Sequence, residues 1–250
     1  MYPAIVSGKS IFVTRRILHF TCIIVLLQFM SLISENIDHI KSQLPSAVKL
    51  VAVSKTKPVT DILEAYNSGQ RIFGENRVQE LLNKKDLLPG DIQWHLIGHL
   101  QSNKVKYIVP FVSMIQSVDS IKLLVSINSE AKKINRVIDC LLQIHIASEE
   151  TKFGFSMCDL AENLRSEDVS TFRNIRLCGV MGMATFTPDV AQIKKEFGYL
   201  RSCFNSLKNN YFNQIREFTE ISMGMSGDYE LAIKEGSTMV RIGSLIFGDR

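Results

Sequence analysis

Between residue 48 and the C-terminus, short apolar runs alternate with amphipathic segments. The first run, Val48 to Val53, is apolar, rich in valine and of strand length. Pro58 cannot donate to a sheet and disfavours helix at Lys57, so this strand is expected to end near Lys55. Val59 to Gly69 reads as a helix, with Ile62, Leu63, Ala65 and Tyr66 at apolar positions and Gly69 as its stop. The pattern then repeats as strand and helix: 71–76 and 77–85, 93–98 and 100–109, 111–118 and 120–133, 137–147 and 156–164, 175–184 and 188–209, 218–223 and 228–234. A last strand, 238–242, precedes a final turn. Strict alternation predicts a parallel sheet. Eight units in about 200 residues predict a single α/β domain built as a (β/α)8 TIM barrel, a little below that fold's usual ~250 residues. An open doubly wound sheet is the alternative, but no GxGxxG follows the first strand.

Composition narrows the class. Apolar residues make up 46% and charged residues 22% of the chain, as in a globular protein with a sizeable core. Lys9, Arg15 and Arg16 supply +3 of the +4 net charge, so residues 30–250 carry +1. That balance argues against a nucleic-acid partner held by phosphate neutralisation, although Lys104 and Lys106 form a small basic patch. The five cysteines are scattered and form no CxxC pair, which points to free thiols in a reducing, cytoplasmic setting.

Residues 1–29 stand apart from this plan. Arg15 and Arg16 precede an apolar stretch interrupted by His19, Thr21, Cys22 and Gln28. Signal peptide and membrane anchor are both open readings. The stretch is short for a span and no small-x-small cleavage site follows. A third reading starts the native chain at Met30, ahead of an amphipathic helix carrying Leu32, Ile33, Ile37, Ile40 and Leu44. The domain plan is therefore an N-terminal extension, 1–29, and a barrel domain, 30–250.

In a barrel the chemistry sits at the C-terminal strand ends, and a phosphate site often forms after strands seven and eight. Strand seven runs into Ser222-Met223-Gly224-Met225-Ser226-Gly227, and strand eight into Arg241-Ile242-Gly243-Ser244. Glycine and serine there bring backbone N–H groups and hydroxyls to a phosphate; ordinary tight turns favour them too. Lys55 ends strand one. Partial desolvation would lower its pKa, which Schiff-base chemistry with an aldehyde requires; the alternative is a solvated loop charge. Together these ends suit a phosphorylated aldehyde, either pyridoxal 5′-phosphate (PLP) or a phosphosugar. Arg241 on the last strand would keep a pyridine nitrogen unprotonated, against the carboxylate of most PLP enzymes. The alternative there is a salt bridge to Glu235 or Asp249. Asn76 ends strand two, as a ligand contact or a helix cap. Lys152, after strand five, could neutralise an anion or relay PLP to and from Lys55. His95 and His99 are four apart, but Gly98 breaks the helix a metal pair would need, so no metal is expected.

Taken together, Val51–Pro58, Phe73–Asn76, Trp94–Lys104, Lys152-Phe153-Gly154, Ser222–Ser226 and Val240–Gly248 resemble the pyridoxal phosphate homeostasis protein family, whose fold is similar to the N-terminal barrel of alanine racemase. The resemblance implies Lys55 as the Schiff-base lysine, Ser222, Gly243 and Ser244 around the phosphate, Arg241 at the pyridine nitrogen, Asn76 near the ring and Lys152 as a secondary lysine. It implies a non-catalytic protein, a monomer or weak dimer, that holds PLP and passes it on, with PLP-dependent apo-enzymes as recipients. The chain stops just after strand eight, leaving no residues for the second domain with which a racemase supplies its opposing tyrosine. The competing expectation is an enzyme: a PLP-dependent amino-acid racemase, or a Schiff-base aldolase with Glu75 and Asp119 as nearby carboxylates.

Overall fold

A computed structural model describes residues 32–149, 153–166 and 169–249. The expected readings of residues 1–29 and of Lys152 lie outside them. Eight parallel strands close into a barrel in sequence order, each paired with its chain neighbour and β1 with β8. They are β1 (Lys49–Val53), β2 (Ile72–Glu75), β3 (Gln93–Leu96), β4 (Met114–Val118), β5 (Ile138–Gln143), β6 (Ile175–Met181), β7 (Glu220–Ser222) and β8 (Met239–Ile242). The helices are α1 (32–43), α2 (Val59–Asn67), α3 (Val78–Lys85), α4 (Val105–Ile108), α5 (Ile121–Lys133), α6 (Met157–Ser166), α7 (Val190–Asn210), α8 (Tyr229–Lys234) and α9 (Ser244–Phe247). The (β/α)8 expectation holds, and the open sheet does not.

Local chemistry sets most boundaries. Ser120 caps α5 by accepting from the Leu123 amide, and Asp189 caps α7 by accepting from Ala191 and Gln192. Gly69, in the left-handed region at φ 84°, ends the turn after α2 as its position suggests. Several boundaries shift: β6 and β7 are shorter than expected, and three other changes have a visible cause. The basic helix after β3 splits into a 3₁₀ turn over Ser102–Lys104 and the short α4, because serine and asparagine are poor helix formers. Strand β4 starts later than expected, since Phe111 and Val112 donate back to Ile108 and prolong α4's last turn. Strand β5 ends at Gln143, because His145 N–H bonds to Phe155 O instead of a neighbouring strand.

Helix α1 buries Ile33, Ile37 and Ile40, spaced four and three apart, and leaves Leu32 exposed. Asn36 Nδ2 donates to Ile246 O at 3.1 Å, and Tyr229 Oη donates to Gln43 Oε1 at 2.7 Å, so α1 is tied to α9 and α8. Inside the barrel, Val51, Met114, Leu141, Cys178, Met181 and Met239 pack together. At the strand starts Lys49 pairs with Glu220 at 2.6 Å. Cys140, Cys178 and Cys203 are buried and Cys158 is exposed, all four as free thiols. Among the described residues no helix is long and apolar enough to cross a membrane.

Candidate functional site

The C-terminal strand ends enclose a cavity of about 610 Å³. Its lining combines Lys55 and Lys57 after β1, Asn76 after β2, Ile97 after β3, Met183 to Thr187 after β6 without Ala184, Met225 to Asp228 after β7, and Arg241, Gly243 and Ser244 on and after β8. Val53, Ile97, Met183, Ile193 and Met225 provide apolar wall. Phe186 stands at the cavity 97% exposed.

Lys55 occupies the second place of a turn that Lys57 N–H closes onto Ser54 O at 3.0 Å. Thr56, in the third place, has φ 66°. Its hydroxyl donates to Lys55 O at 2.6 Å. Lys57 Nζ donates to Phe247 O at 2.9 Å and Asp249 O at 3.0 Å, pinning the last carbonyls of α9 and the tail to the same turn. Lys55 is therefore half-buried and faces the cavity from a tied-down base.

Across the cavity, Arg241 is 4% exposed, and burial holds its pKa down, to about 10. Nη1 donates to Ser222 Oγ at 2.7 Å and Nη2 to Gly182 O at 3.0 Å. Neither Glu235 nor Asp249, nor any other carboxylate among the described residues, makes a salt bridge to it. The charge of Asp228, at the cavity wall, opposes the fall in the Arg241 pKa. Because guanidinium only donates, the hydrogen bonds below it run one way. Ser222 accepts from Arg241 and donates to Gln116 Oε1 at 2.7 Å, and Gln116 Nε2 donates to His95 Nδ1 at 2.9 Å. His95 must accept and is neutral; burial drives its pKa down to about 3.

The structure brings Lys55, Asn76, Arg241, Gly243 and Ser244 to one cavity. Ser222 is not among its lining residues. It is fully buried beneath Arg241, with its hydroxyl already accepting and donating. The serine of this motif that does line the cavity is Ser226, four residues on, whose Oγ accepts from Gly243 N–H at 3.3 Å. Both serines stand in one motif; the signal that separates them is that Ser222 ends the strand pointing inward while Ser226 lies in the following turn. Asn76 Oδ1 is buried with no hydrogen-bond partner among the described residues. A Cβ on Gly98 would lie 2.3 Å from Asn76 O, so glycine is what lets the end of β3 pass Asn76.

The two aldolase carboxylates do not line the cavity. Glu75 is fully buried, and Asp119 Oδ2 sits 2.9 Å from His99 Nδ1. His99 also stacks on Phe153, with centroids 4.0 Å apart. The described residues contain no group of three or more His, Cys, Asp or Glu able to hold a metal.

The family profile described as alanine racemase, N-terminal domain, matches residues 30–250. The pyridoxal phosphate homeostasis protein of Synechocystis sp. is 38% identical over 215 residues, covering 85% of this chain and 96% of that protein. The chain belongs to the pyridoxal phosphate homeostasis protein family. A human member of this family is 39% identical over 216 residues, covering 81% of this chain and 76% of that protein. The barrel is also similar to PipY of Synechococcus elongatus, solved with PLP bound, with TM-score 0.80 and 37% identity over 86% of this chain and 100% of that one. Family membership thus agrees with the expectation from the motifs.

Proposed function

We propose that this chain binds PLP at the C-terminal mouth of its barrel, through a Schiff base to Lys55, and serves PLP homeostasis without turnover of its own. One observation carries the proposal: a half-buried lysine and a buried arginine, hydrogen-bonded to Ser222 and the Gly182 carbonyl, face the same cavity beside a serine- and glycine-lined turn. Other features fit the ligand. Ser226, Gly243 and Ser244 offer hydroxyl and backbone donors to a phosphate. Arg241 presents donors to a pyridine nitrogen, which stays unprotonated beside a cation. The unpartnered Asn76 Oδ1 can accept from a polar group of the ring. A condensation at Lys55 needs its neutral amine: nitrogen adds to the aldehyde carbon, a C=N bond forms and water leaves.

The reading without turnover rests on the same residues. PLP carbanion chemistry wants a protonated pyridine nitrogen as electron sink, and a guanidinium opposes that. The family's name supports a homeostatic role. PLP-dependent apo-enzymes are the recipients this reading implies.

The test is the visible spectrum of the purified chain after addition of PLP, beside Lys55→Ala. A Schiff-base band in the wild type that is missing from the variant is expected. A colourless wild type, or a variant with the same band, would sink the assignment. Incubation of the loaded protein with L-alanine, followed by chiral analysis, is expected to show no D-alanine; steady accumulation would establish a racemase instead.

A further inference from the structure

Lys84 lies on α3 and does not line the cavity, and nothing in the binding reading uses it. Its side chain is 8% exposed. The ammonium donates to Ser54 O at 2.9 Å, Glu75 Oε1 at 2.8 Å and Glu80 Oε1 at 2.7 Å. Three donors meet three acceptors, so the group is complete without a ligand. Ser54 Oγ joins the cluster by donating to Glu75 Oε1 at 2.6 Å, and the Thr56 amide donates to Glu80 Oε1.

These bonds converge on the residues either side of Lys55. Ser54 is held before it, by carbonyl and hydroxyl. Thr56 is held after it, by its amide. The cluster thus grips the backbone of the turn from α3 and β2, while the Lys55 side chain lines the cavity.

The turn needs gripping. Thr56 is β-branched and sits in the left-handed region, where glycine or asparagine is usual in the third place of such a turn. Conformations of this kind are costly and persist only where the surroundings over-determine them. Stability is a poor reason for the cluster itself. Desolvating a buried ion pair commonly offsets its attraction, and Glu75 Oε2 remains buried without a partner among the described residues. A fixed geometry for the lysine between the two gripped residues is a better one, since displacement of a reacting group by 1 Å can cost about a hundredfold in rate.

We propose that Lys84, with Glu75 and Glu80, is a positioning device that holds the Ser54–Lys57 turn in its left-handed form and so aims Lys55 at the aldehyde. The inference rests on the reading that Lys55 is the capturing lysine.

Two probes separate aim from general binding in the full chain. PLP capture is followed in stopped flow by the growth of the Schiff-base band. Pyridoxine 5′-phosphate shares ring and phosphate but has no aldehyde, so its affinity reports the rest of the site. Glu80→Ala frees the Thr56 amide and leaves the Lys84–Glu75 pair in place. Lys84→Met removes the centre of the cluster, and Lys84→Arg restores a cation. Glu80→Ala and Lys84→Met are expected to slow capture by about tenfold or more, with pyridoxine 5′-phosphate affinity within about twofold of wild type and partial recovery in Lys84→Arg. If Lys84→Met does not fold, Glu80→Ala decides alone. Unchanged capture, or an equal loss of capture and of pyridoxine 5′-phosphate affinity, overturns the inference. Lys55→Ala is run alongside. A band retained there overturns the lysine assignment and this inference with it; a band lost there, with undisturbed capture in the turn variants, overturns this inference alone.

Discussion

Replacing Lys84 by methionine should destabilise the barrel in a manner that depends on pH. The lysine is 8% exposed and Glu75 is fully buried. Among the described residues, Glu75 without the ammonium keeps only the Ser54 hydroxyl at Oε1, and its Oε2 has no partner to begin with. Removing one member of such a pair typically costs about 3–5 kcal/mol, because the other charge stays buried and uncompensated. For a chain of this size each kcal/mol moves Tm by roughly 2–4 °C, so a fall of about 6–20 °C follows. The pKa of Glu75 is already raised, chiefly by burial, with Lys84 opposing the rise. Loss of Lys84 raises it further. A carboxyl whose folded pKa lies above its unfolded one contributes stability below the unfolded value, and loses that contribution as pH rises through the folded one. The deficit of Lys84→Met should therefore be small near pH 4.5 and largest at neutral pH. Urea unfolding followed by circular dichroism at several values from pH 4.5 to 8 measures it. A deficit below about 1 kcal/mol, or one that does not change with pH, would refute the picture of Lys84 as the charge that makes Glu75 tolerable.

Other expectations follow from the same geometry. Arg241→Leu should weaken PLP binding by about tenfold or more, the range for losing hydrogen bonds to a charged group; fluorescence titration reads this, and unchanged affinity would remove Arg241 from the site. Ser226→Ala should lower affinity for PLP several-fold and leave pyridoxal, which has no phosphate, unaffected; equal losses for both would place Ser226 elsewhere. His95 has a depressed pKa, so its contribution to stability is present above about 6.5 and is lost as pH falls toward about 3. At about 1.4 kcal/mol for each pH unit, that loss reaches roughly 4–5 kcal/mol. His95→Gln should flatten the acid limb of a stability–pH curve, and an unchanged limb would count against a buried neutral imidazole.

The barrel was legible because its signals are local and repeated. Each strand is an apolar run, each helix has a stripe or a cap, and the alternation allows few topologies. Boundaries drifted where tertiary hydrogen bonds decided them, as where Phe155 draws His145 away from the ladder and ends β5. Lys55, Asn76, Arg241, Gly243 and Ser244 were legible from their places at strand ends, since closure of a barrel carries those ends to one rim. Ser222 and Ser226 stood in one motif, and telling which of two serines four apart lines the cavity needs the position at which the strand stops. The Lys84 cluster could not be read at all. Ser54, Glu75 and Lys84 are 9 to 30 residues from one another in the chain, and Glu80 and Lys84, four apart, look like any surface ion pair on an amphipathic helix.

The one-way hydrogen-bond chain from Arg241 through Ser222 and Gln116 to His95 bears on how a ligand would be received. Each member has a single role left to it by its neighbour, so no proton or rotamer needs to rearrange when a ring arrives. The guanidinium is aimed in advance, and the ordering of that wall is settled during folding instead of at encounter. Selectivity at this wall is correspondingly inflexible: a heterocycle that offers a lone pair is met by a ready donor, and one that offers a positive N–H meets a cation that has nowhere to turn.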